Sequence, residues 1–133
     1  MCPGKVAIYT IDPGQEKYQM ISDFFDAIKE EWEEILEIHN PGDVIPAEEL
    51  DEERQAIVFD DIKIDKKNMD CIKEYFSLSC NKNCCCIYLH QSYYDVPKYI
   101  RRNTKCFCLF PSLDNRDVMN IGTNHVQGIS KKF

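Results

Sequence analysis

The chain has 133 residues, of which 44% are hydrophobic and 29% are charged, and its net charge is −7. This length and composition are typical of one globular domain with its own core. The sequence shows no apolar run near the ~20 residues of a membrane-spanning helix and no secretory signal of the usual form. We therefore expect an intracellular protein that does not enter a membrane. The negative charge argues against a protein that coats nucleic acid.

The charge is distributed unevenly along the chain. Residues 1–66 have a net charge of −12 and residues 67–133 a net charge of +5. The basic half can present a local surface that attracts phosphates, although an uneven, solvated surface accounts for the charges equally well.

The chain contains eight cysteines, and without an export signal they predict reduced thiols. The three residues of the run 84–86 would alternate between the faces of a strand, and no Cys-x₂-Cys pair is present. Buried free thiols are therefore favoured over a zinc site.

Apolar spacing predicts strands that alternate with helices. Strands are predicted at 5–10, 35–38, 56–59, 84–90 and 105–110, and helices at 15–34, 66–79, 96–103 and 114–119. The apolar stripe of the first helix, which includes Tyr18, Ile21, Phe24, Ile28 and Trp32, is expected in the core. Residues 46–54 are expected at the surface, and a loose tail is expected from Gly122. The alternation predicts one α/β domain over 1–133, with a mainly parallel sheet and helices on both faces.

The run 56–59 is entirely apolar and leads directly into Asp60 and Asp61. Such a run fits a strand buried on both faces of a parallel sheet, whose carboxyl end borders the ligand crevice. This is the form of a Walker B strand, in which the first acid holds Mg²⁺ and the second polarises the attacking water. Ordinary strand exits show the same pattern, so the acid pair by itself leaves the function open. A receiver-type signalling domain would place its acid pair after the first strand.

Polar residues also follow the strand predicted at 84–90. Gln91 would lie beside the acid pair if the two strands were neighbours, where it could contact a γ-phosphate or simply cap the next helix. Further along, Lys98, Arg101 and Arg102 form a basic cluster. This cluster is predicted to face DNA or a neighbouring subunit's nucleotide, and a solvated helix face is the alternative.

With these residues taken together, the chain resembles the genome-packaging ATPases of large DNA viruses. These proteins belong to the FtsK–HerA branch of P-loop motors, and they include the poxvirus-type proteins and their relatives in adenovirus-like transposons. The similarity covers most of the chain, at 12–19, 45–46, 57–61, 74–76, 87–94, 96–98, 100–101 and 103. The run Tyr88-Leu89-His90-Gln91-Ser92, followed by Pro97-Lys98 and Arg101-Arg102-Asn103, is its most specific part.

The resemblance implies a RecA-like core with strand order 5-1-4-3-2. It implies that Asp60 is the Mg²⁺ ligand, that Asp61 activates water and that Gln91 senses the nucleotide. The implied cofactors are ATP and Mg²⁺. The implied partners are double-stranded DNA, further subunits of a homo-oligomeric ring and capsid or portal proteins, at an assembly site in the host cytoplasm or nucleus.

Two departures from the family pattern limit what the resemblance implies. Gly4-Lys5 is followed by Val6 and a strand, so it is not the end of a phosphate-binding loop. The family's Arg-His pair aligns with Cys80-Asn81, which removes the expected arginine finger. We therefore expect a fragment or degenerate copy of a packaging ATPase that lacks the first strand and its loop, and enzymatic activity stays open. The alternative is a non-catalytic α/β module that binds an intact ATPase subunit or another partner.

The missing strand has a structural consequence. Its place lies between the strands predicted at 84–90 and 105–110, so these either pair directly or leave exposed edges. We accordingly expect marginal stability or self-association, with Asp60, Asp61 and Gln91 along one rim of the sheet.

Overall fold

The computed structural model of the chain describes residues 4–28, 36–50, 54–62, 66–78, 84–110 and 115–125. The chain divides into two compact units, Met1–Leu89 and His90–Phe133. The first unit contains strands β1 (Lys5–Thr10), β2 (Leu36–His39), β3 (Arg54–Asp60) and β4 (Cys85–Leu89) and helices α1 (Glu16–Ala27) and α2 (Lys66–Leu78). It also has 3-10 turns at Pro41–Asp43 and Ala47–Glu49. The second unit contains helices α3 (Lys98–Asn103) and α4 (Asn115–His125).

The four strands form one sheet in the order β2-β1-β3-β4, and every neighbouring pair is parallel. The predicted α/β fold with a parallel sheet is confirmed. The strand that carries the acid pair lies next to β4, the strand that precedes Gln91, as predicted.

Helices α1 and α2 lie on opposite faces of this sheet. Successive side chains of a strand point to opposite faces. Phe59 of β3 contacts Tyr75 of α2, with ring centroids 5.6 Å apart, whereas Asp60 bonds to Tyr18 of α1. The crossovers β1-α1-β2 and β3-α2-β4 run outward from the centre in opposite directions. Right-handed crossovers of this kind put their helices on opposite faces.

The core lies on the α2 face and is largely aromatic. Tyr9 stacks between His39 and Phe59, with centroid distances of 5.2 Å and 5.6 Å. Phe59 also contacts Tyr75 and Tyr88. Tyr9, Phe59 and Tyr75 are buried, and each buried side chain of this size stabilises the fold by about 1.5–3 kcal/mol.

The expectation that the apolar stripe of the first helix forms core is wrong for most of its described residues. Tyr18 is the buried residue of α1, whereas Phe24 is 62% exposed and Ile21 and Ile28 are also exposed. The reason is that α1 reaches the sheet through Tyr18 in its first turn, and no layer of the described residues covers the later turns. Trp32 lies outside the described residues.

The strand predicted at 105–110 is also wrong, since residues 105–110 belong to no strand. Phe107 instead contacts the ring of His125, at a centroid distance of 4.5 Å, so a side-chain contact holds this segment where a strand ladder was expected. The last helix does not end at residue 119, because α4 continues to His125 and buries Ile121.

Two expectations about burial need correction. The acidic segment 46–54 was expected at the surface, yet Ala47 and Leu50 are buried, because the 3-10 turn at Ala47–Glu49 packs against α2. The cysteines were expected to be buried, yet Cys85, Cys106 and Cys108 are exposed. Among the described helices, none has both the length and the apolar composition that crossing a bilayer requires.

Candidate functional site

The candidate site lies where β1 and β3 end. Thr10 and Asp60 are register partners at the carboxyl ends of these strands. The two crossovers diverge from this pair of strands, so the gap between β1 and β3 is the topological switch point of the sheet. Open α/β sheets bind their ligands at the switch point, outside the carboxyl ends of the strands.

Asp61 follows β3 in an unusual backbone conformation. Its φ is +49°, the one positive value among the described non-glycine residues. Aspartate is one of the few side chains that tolerate this left-handed region. The Asp61 N–H donates to the carbonyl oxygen of Leu89 at 3.1 Å, which fixes the acid pair to the end of β4. Such backbone positions concentrate at functional sites.

Two residues of the first turn of α1 hold the Asp60 carboxylate. The Lys17 Nζ lies 2.7 Å from Asp60 Oδ2, and the Tyr18 hydroxyl donates to the same oxygen. The Asp60 side chain is 15% exposed and the Lys17 side chain 54% exposed. Both bonds end on Oδ2, and Oδ1 accepts no side-chain hydrogen bond from the described residues.

A short turn places α1 for these contacts. Asp12, Pro13 and Gly14 end the extended chain after β1, and Asp12 Oδ1 accepts a hydrogen bond from the Gly14 N–H at 3.2 Å. Turns of this type are favoured by Asp because its side chain bonds the backbone two residues ahead. The helix then begins at Glu16, so its first turn lies at the carboxyl edge beside Asp60.

The pKa shifts of Asp60, Lys17 and Tyr18 all favour the same protonation states, a carboxylate, an ammonium and a neutral phenol. Burial tends to raise the pKa of Asp60, but the hydrogen bonds from Lys17 and Tyr18 outweigh it, so the pKa falls below 3.8. The hydrogen bond to Asp60 raises the pKa of Lys17. Burial and the bond to Asp60 raise the pKa of Tyr18. At neutral pH the Asp60 carboxylate therefore accepts hydrogen bonds from the Lys17 ammonium and the neutral Tyr18 phenol.

Tyr88 adds a second phenol near the acid pair. Burial, and to a smaller extent the negative charge of Asp61, raise the pKa of Tyr88 to about 12. Its hydroxyl therefore stays protonated at neutral pH, while Asp61 itself is exposed. The site thus combines one carboxylate that is held in place with one that solvent reaches.

The donor types at the switch point suit a hard divalent cation. Carboxylate and hydroxyl oxygens from Asp60, Asp61 and Thr10 are the ligands that Mg²⁺ prefers, usually with several waters retained. Among the described residues no cluster of three or more His, Cys, Asp or Glu side chains could hold a metal. Oδ1 of Asp60 could hold such an ion together with water.

The other predicted residues lie in the second unit. Gln91 is exposed and follows the end of β4 by two residues. Lys98 and Arg102 are exposed on α3, whereas Arg101 is half-buried, and its guanidinium lies 4.6 Å from the centroid of the Tyr93 ring. The Arg101 Nε is buried without a hydrogen-bond partner among the described residues, and the contact with Tyr93 packs Arg101 within its unit.

Sequence reasoning did not identify Lys17 and Tyr18 as site residues. Tyr18 belongs to the stripe that the sequence predicts as core, and no sequence pattern marks Lys17. Their position directly after the Asp12-Pro13-Gly14 turn was the available signal, because a turn at the carboxyl edge brings the next helix to the strand ends. Comparisons with models of protein families, with curated proteins and with solved structures found no match.

Proposed function

We propose that this chain is the part of a DNA-packaging ATPase of the FtsK–HerA type that carries the Walker B acid pair, Asp60 and Asp61. The observation that carries the proposal is the position of Asp60 and Asp61. Asp60 ends and Asp61 follows β3, the strand next to the topological switch point, where α/β sheets bind ligands. The resemblance of the sequence to packaging ATPases adds the identity of the ligand, a Mg²⁺-bound nucleotide.

Each residue of the site has a role in this proposal. Lys17 and Tyr18 hold Oδ2 of Asp60, which leaves Oδ1 to accept from the water shell of Mg²⁺. Asp61 is exposed and orients the attacking water. By the resemblance, Gln91 of the second unit is the nucleotide sensor. Bound Mg²⁺ would neutralise charge on the β- and γ-phosphate oxygens. Lys98 and Arg102 contact double-stranded DNA or the next subunit of a ring that works with capsid or portal proteins inside the host cell.

The proposal also predicts that this chain hydrolyses ATP weakly. The 133 residues contain no Gly-x₄-Gly-Lys-Ser/Thr, the loop whose N–H groups and lysine cradle the phosphates. We therefore expect this chain to bind a divalent cation and to release little phosphate from Mg-ATP. Robust turnover that Asp61→Asn abolishes would contradict this expectation.

Binding of Mn²⁺, followed by electron paramagnetic resonance, tests the site directly. We expect Asp60→Asn and Asp61→Asn each to remove most of the binding. Asp70→Asn is the matched control, because Asp70 is an exposed acid on α2 that pairs with Lys73. Equal Mn²⁺ affinity in the wild type and both site variants would refute the proposal.

Replacing Lys17 tests the effect of its charge on the affinity for Mn²⁺. Charges of +1 and +2 about 6 Å apart repel by ~1.4 kcal/mol in water, so Lys17→Met should tighten Mn²⁺ binding roughly tenfold. A large loss of affinity would instead mean that Lys17 is needed to orient Asp60.

The second candidate is a non-catalytic module that binds a protein partner. Two observations favour it: Lys17 neutralises the charge of Asp60, and β4 exposes Ile87 and Leu89 on one face. This candidate predicts no Mn²⁺ binding at the acid pair, so the same titration separates the two functions.

A further inference from the structure

Two contacts place the Lys17 ammonium at the candidate site. The Lys17 Nζ lies 2.7 Å from Asp60 Oδ2 and 4.7 Å from the centroid of the Tyr18 ring. Lys17 belongs to the first turn of α1, and Asp60 ends β3. The ammonium therefore lies at the carboxyl edge of the sheet, where α/β sheets bind their ligands.

These contacts leave the ammonium able to bind a further group. A lysine ammonium has three N–H donors and no acceptor. Among the described residues, Asp60 Oδ2 and the Tyr18 side chain take at most two of these donors, so at least one remains for an oxygen from outside the chain. The Lys17 side chain is 54% exposed, and such an oxygen can therefore reach it from solvent.

Tyr18 holds Asp60 in position independently of Lys17. The Tyr18 hydroxyl donates to the same carboxylate oxygen, Oδ2, and Tyr18 is only 3% exposed, so packing fixes this donor. Lys17 instead reaches Oδ2 along a flexible four-carbon stem. Ion pairs with an exposed partner contribute little to stability. Tyr18 therefore suffices to orient the carboxylate, and the ammonium can serve a second purpose.

The charges at the site select the kind of ligand. Because Lys17 and Asp60 have opposite charges, the pair by itself attracts an anion only weakly. A divalent cation bound at Asp60 makes the site positive, which favours an anion beside it. An ammonium that donates to two oxygens holds them less than about 6 Å apart, so an anion bound by Lys17 lies close to the cation. The suitable ligand is an anion that shares the cation, as polyphosphates do with Mg²⁺.

We propose that Lys17 is a phosphate-binding residue, which donates to an oxygen of a cation-bound polyphosphate while it keeps its bond to Asp60. This inference rests on the proposed function, because Asp60 must first bind the cation. The lysine of a Gly-x₄-Gly-Lys-Ser/Thr loop contacts phosphates from a glycine-rich turn, and these 133 residues contain no such loop. Lys17 makes its contact from the first turn of a helix.

Calorimetric titration of the full chain with tripolyphosphate in excess Mg²⁺ tests this contact. Lys17→Met removes a charge-assisted hydrogen bond and should weaken binding by about tenfold or more. Lys17→Arg keeps the charge and should retain most of the affinity. Lys73→Met is the matched control, because Lys73 is a partly exposed lysine that pairs with Asp70 at 2.8 Å, and it should bind like the wild type. Removal of Mg²⁺ should abolish binding to the wild type.

The Mn²⁺ titration of the same variant separates this inference from the proposed function. A lysine that only neutralised Asp60 would oppose the cation, so its removal would tighten the binding of Mn²⁺ and would not weaken that of tripolyphosphate. We expect Lys17→Met to bind Mn²⁺ more tightly and tripolyphosphate more weakly, and the retained Mn²⁺ binding shows that the variant is folded. Equal tripolyphosphate affinity in the wild type and Lys17→Met, or none in a wild type that binds Mn²⁺, would overturn the role of Lys17 alone. A wild type that binds no Mn²⁺ would overturn the proposed function itself.

Mg-ATP distinguishes a nucleotide from an inorganic polyphosphate as the source of the phosphates. Because the contact is to phosphate, Lys17→Met should weaken the binding of Mg-ATP by the same factor as that of tripolyphosphate. A loss for tripolyphosphate together with unchanged Mg-ATP affinity would overturn the nucleotide as the ligand of Lys17.

Discussion

Replacing Tyr18 by phenylalanine tests the cluster that holds Asp60. The variant keeps the buried ring and removes one hydroxyl, which donates to Asp60 Oδ2. Hydrogen bonds to charged groups contribute about 1.5–3 kcal/mol to stability. Asp60 keeps its bond to Lys17 and some contact with solvent. We therefore expect the lower end, a loss of about 1.5 kcal/mol in the free energy of unfolding at pH 7.

The effect of Tyr18→Phe on the free energy of unfolding should depend on pH in a defined direction. The pKa of Asp60 is below 3.8 in the folded chain, so the bonds of the carboxylate stabilise the fold above pH 3.8 and their contribution is lost as the pH falls through the folded pKa. In Tyr18→Phe the pKa of Asp60 moves back toward its ordinary value. The stability gap between the wild type and the variant should therefore be largest at neutral pH and shrink in acid.

Tyr75→Phe is the matched control. Its hydroxyl is also part-buried but donates to the carbonyl oxygen of Ile45, at 2.7 Å. Loss of this bond to a neutral acceptor should cost about 1 kcal/mol without a dependence on the ionisation of Asp60. Urea unfolding of both variants from pH 7 down to pH 3 gives the comparison. A Tyr18→Phe gap that is absent at pH 7, or as large at pH 3, would refute the account of Asp60.

Three further predictions concern α3 and β4. Arg101→Ala should lower the free energy of unfolding by about 1 kcal/mol through loss of the contact with Tyr93. Arg102→Ala should change the free energy of unfolding by less than ~0.5 kcal/mol. Equal effects of the two variants in urea unfolding would contradict this difference. If α3 binds duplex DNA, Lys98→Ala and Arg102→Ala should each lower the slope of log affinity against log salt by roughly one, and unchanged slopes would leave α3 as a solvated helix. Exposed Ile87 and Leu89 predict association that grows with concentration, so sedimentation equilibrium should show Ile87→Lys with Leu89→Lys shifting the chain toward monomer. A wild-type chain that stays monomeric at every concentration would contradict that prediction.

The sheet could be predicted because short segments of the sequence are enough to indicate its strands. Lys5–Thr10 combines β-branched and apolar residues and is followed by the turn Asp12-Pro13-Gly14, and Arg54–Asp60 contains the apolar run 56–59. Their alternation with helices then selects parallel pairing. The polar end of β3 follows from the same pattern, so the location of the acid pair at the carboxyl edge was also available from sequence.

The remaining features depend on contacts between distant residues. The spacing of Tyr18 and Phe24 on one helical stripe is the same whether or not a layer covers the helix, and only Tyr18 is buried. The segment 105–110 has the composition of a strand, but Phe107 contacts His125 instead of joining a ladder. Local propensity does not decide between a ladder and such a contact, because strand preference depends on available neighbours.

The charge at the switch point explains why the acid pair and Lys17 belong together. Asp60 and Asp61 follow one another, and the held carboxylate is only 15% exposed, so its charge would cost free energy without a partner. The Lys17 ammonium compensates that charge, so the pair of Asp60 and Lys17 is close to neutral. A divalent cation that enters beside this neutral pair adds positive charge, which is the sign that attracts phosphates. The same two side chains thus stabilise the fold when no ligand is bound and can favour a polyphosphate once a cation has entered.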